Sequence, residues 1–143
     1  MPSGAVTTGA PADVARILLD STVLIDALRG RPAAERIRQL RRDGIQPWVC
    51  AVSVEEVWRG LRPDEEAAAQ RLFNGLRLAR LGTQEGQRAG TWRRDHARRG
   101  VTLHQADCLV AAAAIGIRAP LATANIADFP MPELTVEHWP VGG

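Results

Sequence analysis

Short apolar runs alternate along this chain with longer stretches of helical periodicity, and that alternation limits its fold more than any other feature. Arg16-Ile17-Leu18-Leu19 is too short and too uniformly apolar for a surface helix and reads as a buried strand closed by Asp20. Ile45 to Ala51, Leu78 to Leu81, Pro120 to Ala124 and Leu134 to Val136 read as further strands, the last at an edge. Helical patterns fill the intervals, and strands that alternate with helices build a parallel sheet covered on both faces. The expected fold is therefore α/β, a mainly parallel central sheet flanked by helices. Residues 1–15 are expected to form a flexible N-terminal tail, and 16–143 a single domain.

Helix boundaries follow from caps and breakers. Ser21 or Thr22 is expected to cap a helix that runs to Leu28, with Gly30 as its stop. Pro32 opens a helix over 33–43, with Ala33, Ile37 and Leu40 facing inward. Ser53 with Glu56, and Thr102 with Gln105, have the spacing of capping boxes. Pro63 with Asp64, Glu65 and Glu66 starts another helix, Thr83 one that reaches Arg99, and Cys108 to Ile117 is a core helix.

Four acidic residues stand where an apolar run ends or a helix begins: Asp20, Glu56, Asp107 and Asp128. Singly they have ordinary explanations: Asp20 as a cap, Glu56 as half of a capping box, Asp128 as a turn residue. Asp107, inside an otherwise apolar helical run, resists that reading, because a buried ionised carboxylate needs a partner. In open α/β sheets, sites form at the carboxyl ends of the strands, where all four would meet. Their mutual repulsion would then be relieved best by a hard divalent cation held through oxygen ligands. That points to a metal-dependent nuclease. Asp26 is read as structural, and His104 as a residue near the site that could touch substrate. His96 and His138 lack metal-ligand spacing.

Composition narrows the function classes. No apolar run is long enough for a membrane span, and the opening residues lack a basic start followed by an apolar stretch, so a cytoplasmic chain is expected. Cys50 and Cys108 lie in apolar runs and read as buried free thiols. The net charge is only +2, but all 18 basic residues are arginine. Arginine-for-lysine usage has a genomic explanation, yet the residues cluster. Arg29, Arg31, Arg36, Arg38, Arg41 and Arg42 form one run, and Arg88, Arg93, Arg94, Arg98 and Arg99 another. Two such runs beside an acidic site suit a polyanionic substrate.

The motifs around the acids resemble those of the PIN-domain ribonucleases, in particular the VapC toxins of bacterial toxin–antitoxin pairs. Ile17-Leu18-Leu19-Asp20-Ser21-Thr22 is similar to the family's opening strand, first acid and following Ser/Thr. Val54-Glu55-Glu56-Val57-Trp58-Arg59-Gly60 resembles its second acid, Ala106-Asp107-Cys108-Leu109 its third, and Thr123-Ala124-Asn125-Ile126-Ala127-Asp128-Phe129 its closing segment. Ala124 departs from the pattern, since many relatives carry arginine there. The resemblance implies a PIN-like α/β/α sandwich and an endoribonuclease dependent on Mg²⁺ or Mn²⁺. It places Asp20, Glu56, Asp107 and Asp128 as metal-holding catalytic residues, with Thr22, Thr123 and Asn125 orienting them from behind. It also implies an RNA substrate cut in single-stranded regions, a cognate antitoxin, and a homodimer or toxin–antitoxin hetero-oligomer. Apolar residues on helices 33–43 and 53–76, among them Trp48, Val57, Trp58, Leu61 and Phe73, are candidates for the antitoxin surface, with core packing as the competing expectation for most.

Rival classes fit less well. A phosphotransfer receiver domain needs a lysine beside its acids, and the chain has none. A haloacid-dehalogenase-type phosphatase needs Asp-x-Asp after the first strand, where this chain has Thr22. An RNA-processing nuclease outside a toxin–antitoxin pair, or a non-catalytic PIN module that binds RNA or protein, remains as an alternative; the full set of acids argues against the latter.

Overall fold

A computed structural model describes residues 14–142. Five strands form one sheet: β1 Arg16–Leu19, β2 Gln46–Val49, β3 Arg77–Leu78, β4 Leu121–Thr123 and β5 Val136–His138. Their order is β3-β2-β1-β4-β5 and every neighbouring pair is parallel. Six α-helices accompany them: α1 Ser21–Leu28, α2 Pro32–Arg42, α3 Ala51–Arg59, α4 Glu66–Asn74, α5 Thr83–Arg98 and α6 Gln105–Gly116. Among the described residues, no helix is long and apolar enough to cross a membrane. Most of the expected tail, residues 1–13, lies outside the described residues. Ala15 already joins the sheet through its carbonyl, which accepts the Gln46 N–H at 2.9 Å.

The layering follows from the two-residue period of a strand. Leu18 of β1 and Leu121 of β4 face a core built with α5 and α6, including Trp92, Cys108 and the run Val110–Ala114. Ile17, Leu19 and Ala122 point the other way, into a second core with Val23, Leu24, Ile37, Leu40 and Val57 from α1, α2 and α3. Residues buried on both faces are what an apolar strand with no polar alternation requires. The result is the α/β/α sandwich expected from the alternation. In α6, Ala111 to Ala114 are all buried, and their small side chains let α5 and the sheet approach closely.

Several boundaries differ from the expected ones, each for a local reason. The last strand lies two residues later, at Val136–His138, because Leu134 turns inward as a core residue rather than entering the edge. The third strand shrinks to Arg77–Leu78, and Leu78 is 64% exposed at the sheet margin. Residues Pro63–Glu65 form a 3-10 turn before α4 starts, and there the Glu65 carboxylate accepts the Arg62 N–H at 2.8 Å. Gly44, after α2, has φ of +76°, a left-handed conformation that disfavours side chains.

Asp26 fills the structural role expected of it. It is 2% exposed, and its two carboxylate oxygens accept the Ala33 N–H at 3.0 Å and the Gly142 N–H at 2.9 Å. One side chain thus ties α1 to the first turn of α2 and to the C-terminal segment. Asp26→Ala leaves the buried Ala33 amide without its acceptor and should destabilise the protein by about 1–3 kcal/mol. Urea denaturation should show a lower midpoint at unchanged slope; an unaltered midpoint would contradict this role.

Candidate active site

In a wholly parallel sheet all carboxyl ends lie along one edge. In the order β3-β2-β1-β4-β5, the chain leaves β1 toward β2 on one side and returns to β4 on the other, so the topological switch point lies between β1 and β4. Asp20 follows β1 directly and the Asp128 turn follows β4. β2 leads into α3 and Glu56. The chain returns from α6 to the opposite end of β4, which brings the N-terminus of α6, with Asp107 in its first turn, to the same edge.

Asp20 itself caps α1, rather than Ser21 or Thr22. Its Oδ1 accepts the Val23 N–H at 3.2 Å and the Thr22 hydroxyl at 2.5 Å. The Thr22 hydroxyl in turn accepts the Ala124 N–H at 3.1 Å. The Thr123 hydroxyl also hydrogen-bonds Asp20, and accepts the Asn125 N–H at 3.0 Å. The Asp20 N–H reaches the Ala122 carbonyl at 3.1 Å. The ends of β1 and β4 are therefore joined by side chains as well as by the ladder. Asp20 is 5% exposed, and burial pushes its carboxyl above the usual range, against the opposing pull of the Thr123 and Thr22 hydroxyls and nearby backbone N–H groups.

Glu56 is half-buried on α3. The expected Ser53–Glu56 capping box is absent: the helix begins at Ala51 with Cys50 as N-cap, so Ser53 is already inside it and buried. The helix starts three residues earlier than expected, which leaves Glu56 with no capping duty. Among the described residues the buried Ser53 hydroxyl has no hydrogen-bond partner. The Thr102–Gln105 box is likewise absent, because His104 takes the N-cap position of α6.

Asp107 reports the convergence most directly. Its carboxyl is pushed up to about 6, first by burial, then by the charges of Asp128, Glu56 and Asp20, with His104 opposing. A helix N-terminus favours the ionised form. Burial and like charges outweigh it here. Asp128 ends a 3-10 turn, Ile126–Asp128, and is exposed. Asn125 contributes its backbone N–H to Thr123, and its side chain is exposed. The charges of the other three acids thus reach Asp107. Among the described residues no three acidic, histidine or cysteine side chains form a closed ligand set. The donors facing the mouth are oxygens, the chemistry of a hard cation such as Mg²⁺ or Mn²⁺ rather than of zinc. A groove of about 600 Å³ lies away from the acids, between α5 and the end of α6, where Glu85, Trp92, Gly116 and Glu133 line it.

One contact on the segment leading into α6 was not legible in the chain. Arg93 donates its Nε–H to the Leu103 carbonyl at 3.2 Å, just before α6. The arginine run was visible in the sequence, but nothing in it distinguished this member from the others.

Comparison with known proteins agrees with this architecture. A family model described as PIN domain matches residues 17–129. The chain is 34% identical over 122 residues to ribonuclease VapC19 of Mycobacterium tuberculosis, covering 80% of this chain and 92% of the relative. It is 36% identical over 116 residues to ribonuclease VapC10 of the same organism, covering 80% and 86%. In fold it is similar to a chain of VapBC2 from Rickettsia felis, solved bound to a promoter DNA fragment, with TM-score 0.74, 19% identity and coverage of 87% and 98%.

The Asp107 carboxyl makes a stability prediction. Its folded value lies above the unfolded one, so its favourable contribution is present at pH below about 4 and is lost as pH rises through about 6. At pH 7.5, without divalent ions, Asp107→Asn should raise stability on the order of 1 kcal/mol, a figure reduced for the half-exposed position. Thermal melts in EDTA should show that gain fading toward pH 4; an equal or lower melting temperature at pH 7.5 would refute the repulsion.

Proposed function

The chain belongs to the PIN-domain family, within its VapC group, and we propose that it is a divalent-metal-dependent endoribonuclease toxin restrained by a cognate antitoxin. One observation carries the reading: Asp20, Glu56 and Asp128, each from a different element, act through their charges on the Asp107 carboxyl and, with burial, push it above the ordinary carboxylate range. Such a surplus of negative charge costs stability unless a cation neutralises it.

Asp20 and Asp107 are the principal metal-holding residues in this proposal, since each is fixed to a helix start. Thr22 and Thr123 keep the Asp20 carboxylate in one rotamer through their hydroxyls. Glu56 completes the set from α3 and is placed to orient a water or accept its proton. Asp128, exposed on its turn, contributes least, and Asn125 lies on the rim beside it. A bound Mg²⁺ or Mn²⁺ would supply the Lewis acidity that polarises a phosphodiester and acidifies a nearby water. The open mouth suits a flexible single strand better than a duplex, whose backbone cannot bend into it. The reaction would take place in the cytoplasm.

An antitoxin surface is proposed on the face made by α1, α3 and α4. Trp58 is 38% exposed and lies against Phe73, with ring centroids 6.4 Å apart. A small groove beside it is lined by Ile25, Leu28 and Leu61. Val57, 1% exposed, reaches the groove only from the core beneath it. An apolar helix of the antitoxin would lie in that groove, giving a toxin–antitoxin hetero-oligomer or a pair of them built on a toxin homodimer.

Purified protein should cut single-stranded RNA with Mg²⁺ or Mn²⁺ and stop in EDTA. Asp20→Asn or Asp107→Asn should lower the rate by about a hundredfold or more, and Asp128→Asn by about tenfold. Cutting that persists in EDTA would reject the metal role. A loss at Asp128 as deep as at Asp107 would overturn the ranking of the two.

A further inference from the structure

The arginines of the α5 run are not equivalent. Arg94 and Arg98 share Asp95, at 3.5 and 3.8 Å. Arg88 lies over the Trp92 ring, 5.9 Å from its centroid. Arg93 differs from all of these. Its Nε–H is committed to the Leu103 carbonyl at 3.2 Å, and among the described residues no carboxylate lies within ion-pair distance of it. A guanidinium anchored to a neutral carbonyl keeps its full charge and its remaining N–H donors, with little rotamer freedom left to lose on binding.

The packing sets where that charge is presented. α5 runs antiparallel to α6: near the start of α5, Glu85 lies against Gly116 at the end of α6, a Cβ on which would sit 3.0 Å from the carboxylate. The later half of α5 therefore lies beside the N-terminal half of α6. Leu103 immediately precedes the His104 N-cap, and Asp107 follows in the first turn. Arg93, an exposed residue, is thus anchored to the segment that leads into the Asp107-bearing first turn of α6. The α2 run lies elsewhere: α2 ends where β2 begins, at the opposite edge of the sheet, and Arg38 and Arg42 are held by Glu35 at 3.0 and 2.6 Å.

We propose that Arg93 is a substrate-positioning residue that grips a phosphate of the RNA strand next to the one being cut. This inference rests on the ribonuclease reading above. A strand crossing an acidic mouth meets repulsion at every phosphate. A fixed cation at one margin offsets it and sets the register of the chain, using the bidentate geometry that guanidinium and phosphate share. Arg93 acts on binding rather than on the bond-breaking step, because it is held outside the carboxylate set.

The test uses the full chain with a fluorescent single-stranded RNA probe of mixed sequence, its binding measured in EDTA, where the metal-dependent cut cannot proceed, and its cleavage measured with Mg²⁺. Arg93→Gln keeps a donor for Leu103 and removes the charge. It should weaken probe binding about five- to tenfold at 0.1 M salt and reduce the slope of log Kd against log salt by about 0.7, one phosphate contact on a single strand. KM should rise with kcat little changed. Arg93→Lys should restore most of the salt slope, which a purely structural role would not do. Arg98→Ala, the control, should change neither. If wild type binds and cuts while Arg93→Gln matches it in slope and KM, or Lys fails to rescue, the Arg93 assignment falls alone. If wild type neither binds nor cuts RNA, the ribonuclease reading falls and takes this inference with it.

Discussion

The seam between β1 and β4 is the constraint on which the site depends. At a topological switch point two neighbouring strands diverge, and the crevice between their ends opens unless something spans it. Here the Thr22 hydroxyl spans it, donating to Asp20 on one side and accepting the Ala124 N–H on the other. Thr123 reinforces the same carboxylate from the end of β4. These contacts are buried or partly buried, where a hydrogen bond is hard to replace with water. The first acid is therefore set in place by the two central strands of the sheet, the most deeply packed part of the molecule.

Around that fixed point the other acids come in from helices and a turn, with decreasing restraint. Asp107 is set by α6, whose buried alanines hold it close to the sheet. Glu56 is half-buried on α3, and Asp128 is exposed. In the proposed reading, this gradient would separate the residues that hold an ion rigidly from those that adjust as substrate enters. It also concentrates negative charge where burial makes it expensive, so stability is given up at the place where a cation would be useful. Arg93 stands outside this set, anchored to the Leu103 carbonyl, and in the proposal its charge would offset the repulsion met by an entering strand.

The chain made the architecture legible because strand and helix signals alternate cleanly. Leu18 against Ile17 and Leu19 shows how little is needed: three residues define two opposite cores through the two-residue period. The acids stood out for a related reason, each placed where an apolar pattern breaks. Cap geometry was harder. Ser53 with Glu56 and Thr102 with Gln105 both satisfied a local spacing rule, and in both cases the helix began elsewhere: α3 starts at Ala51, directly after β2, and α6 starts at Gln105 with His104 as its N-cap. The last strand shifted because Leu134 was drawn into the core by packing that no local pattern records. The difference between Arg93 and its neighbours depends on a carbonyl ten residues away, so no reading of spacing could reveal it.

The central claim is that distant carboxylates gather around a shared divalent ion. Anomalous scattering from crystals grown with Mn²⁺ tests it most directly. The account predicts a peak at the carboxyl edge of the sheet, with oxygens of both Asp20 and Asp107 about 2.1 Å away, or one of them at that distance and the other joined through a water. A saturating Mn²⁺ concentration that leaves this edge without a peak, or places the ion on a different cluster, would contradict it.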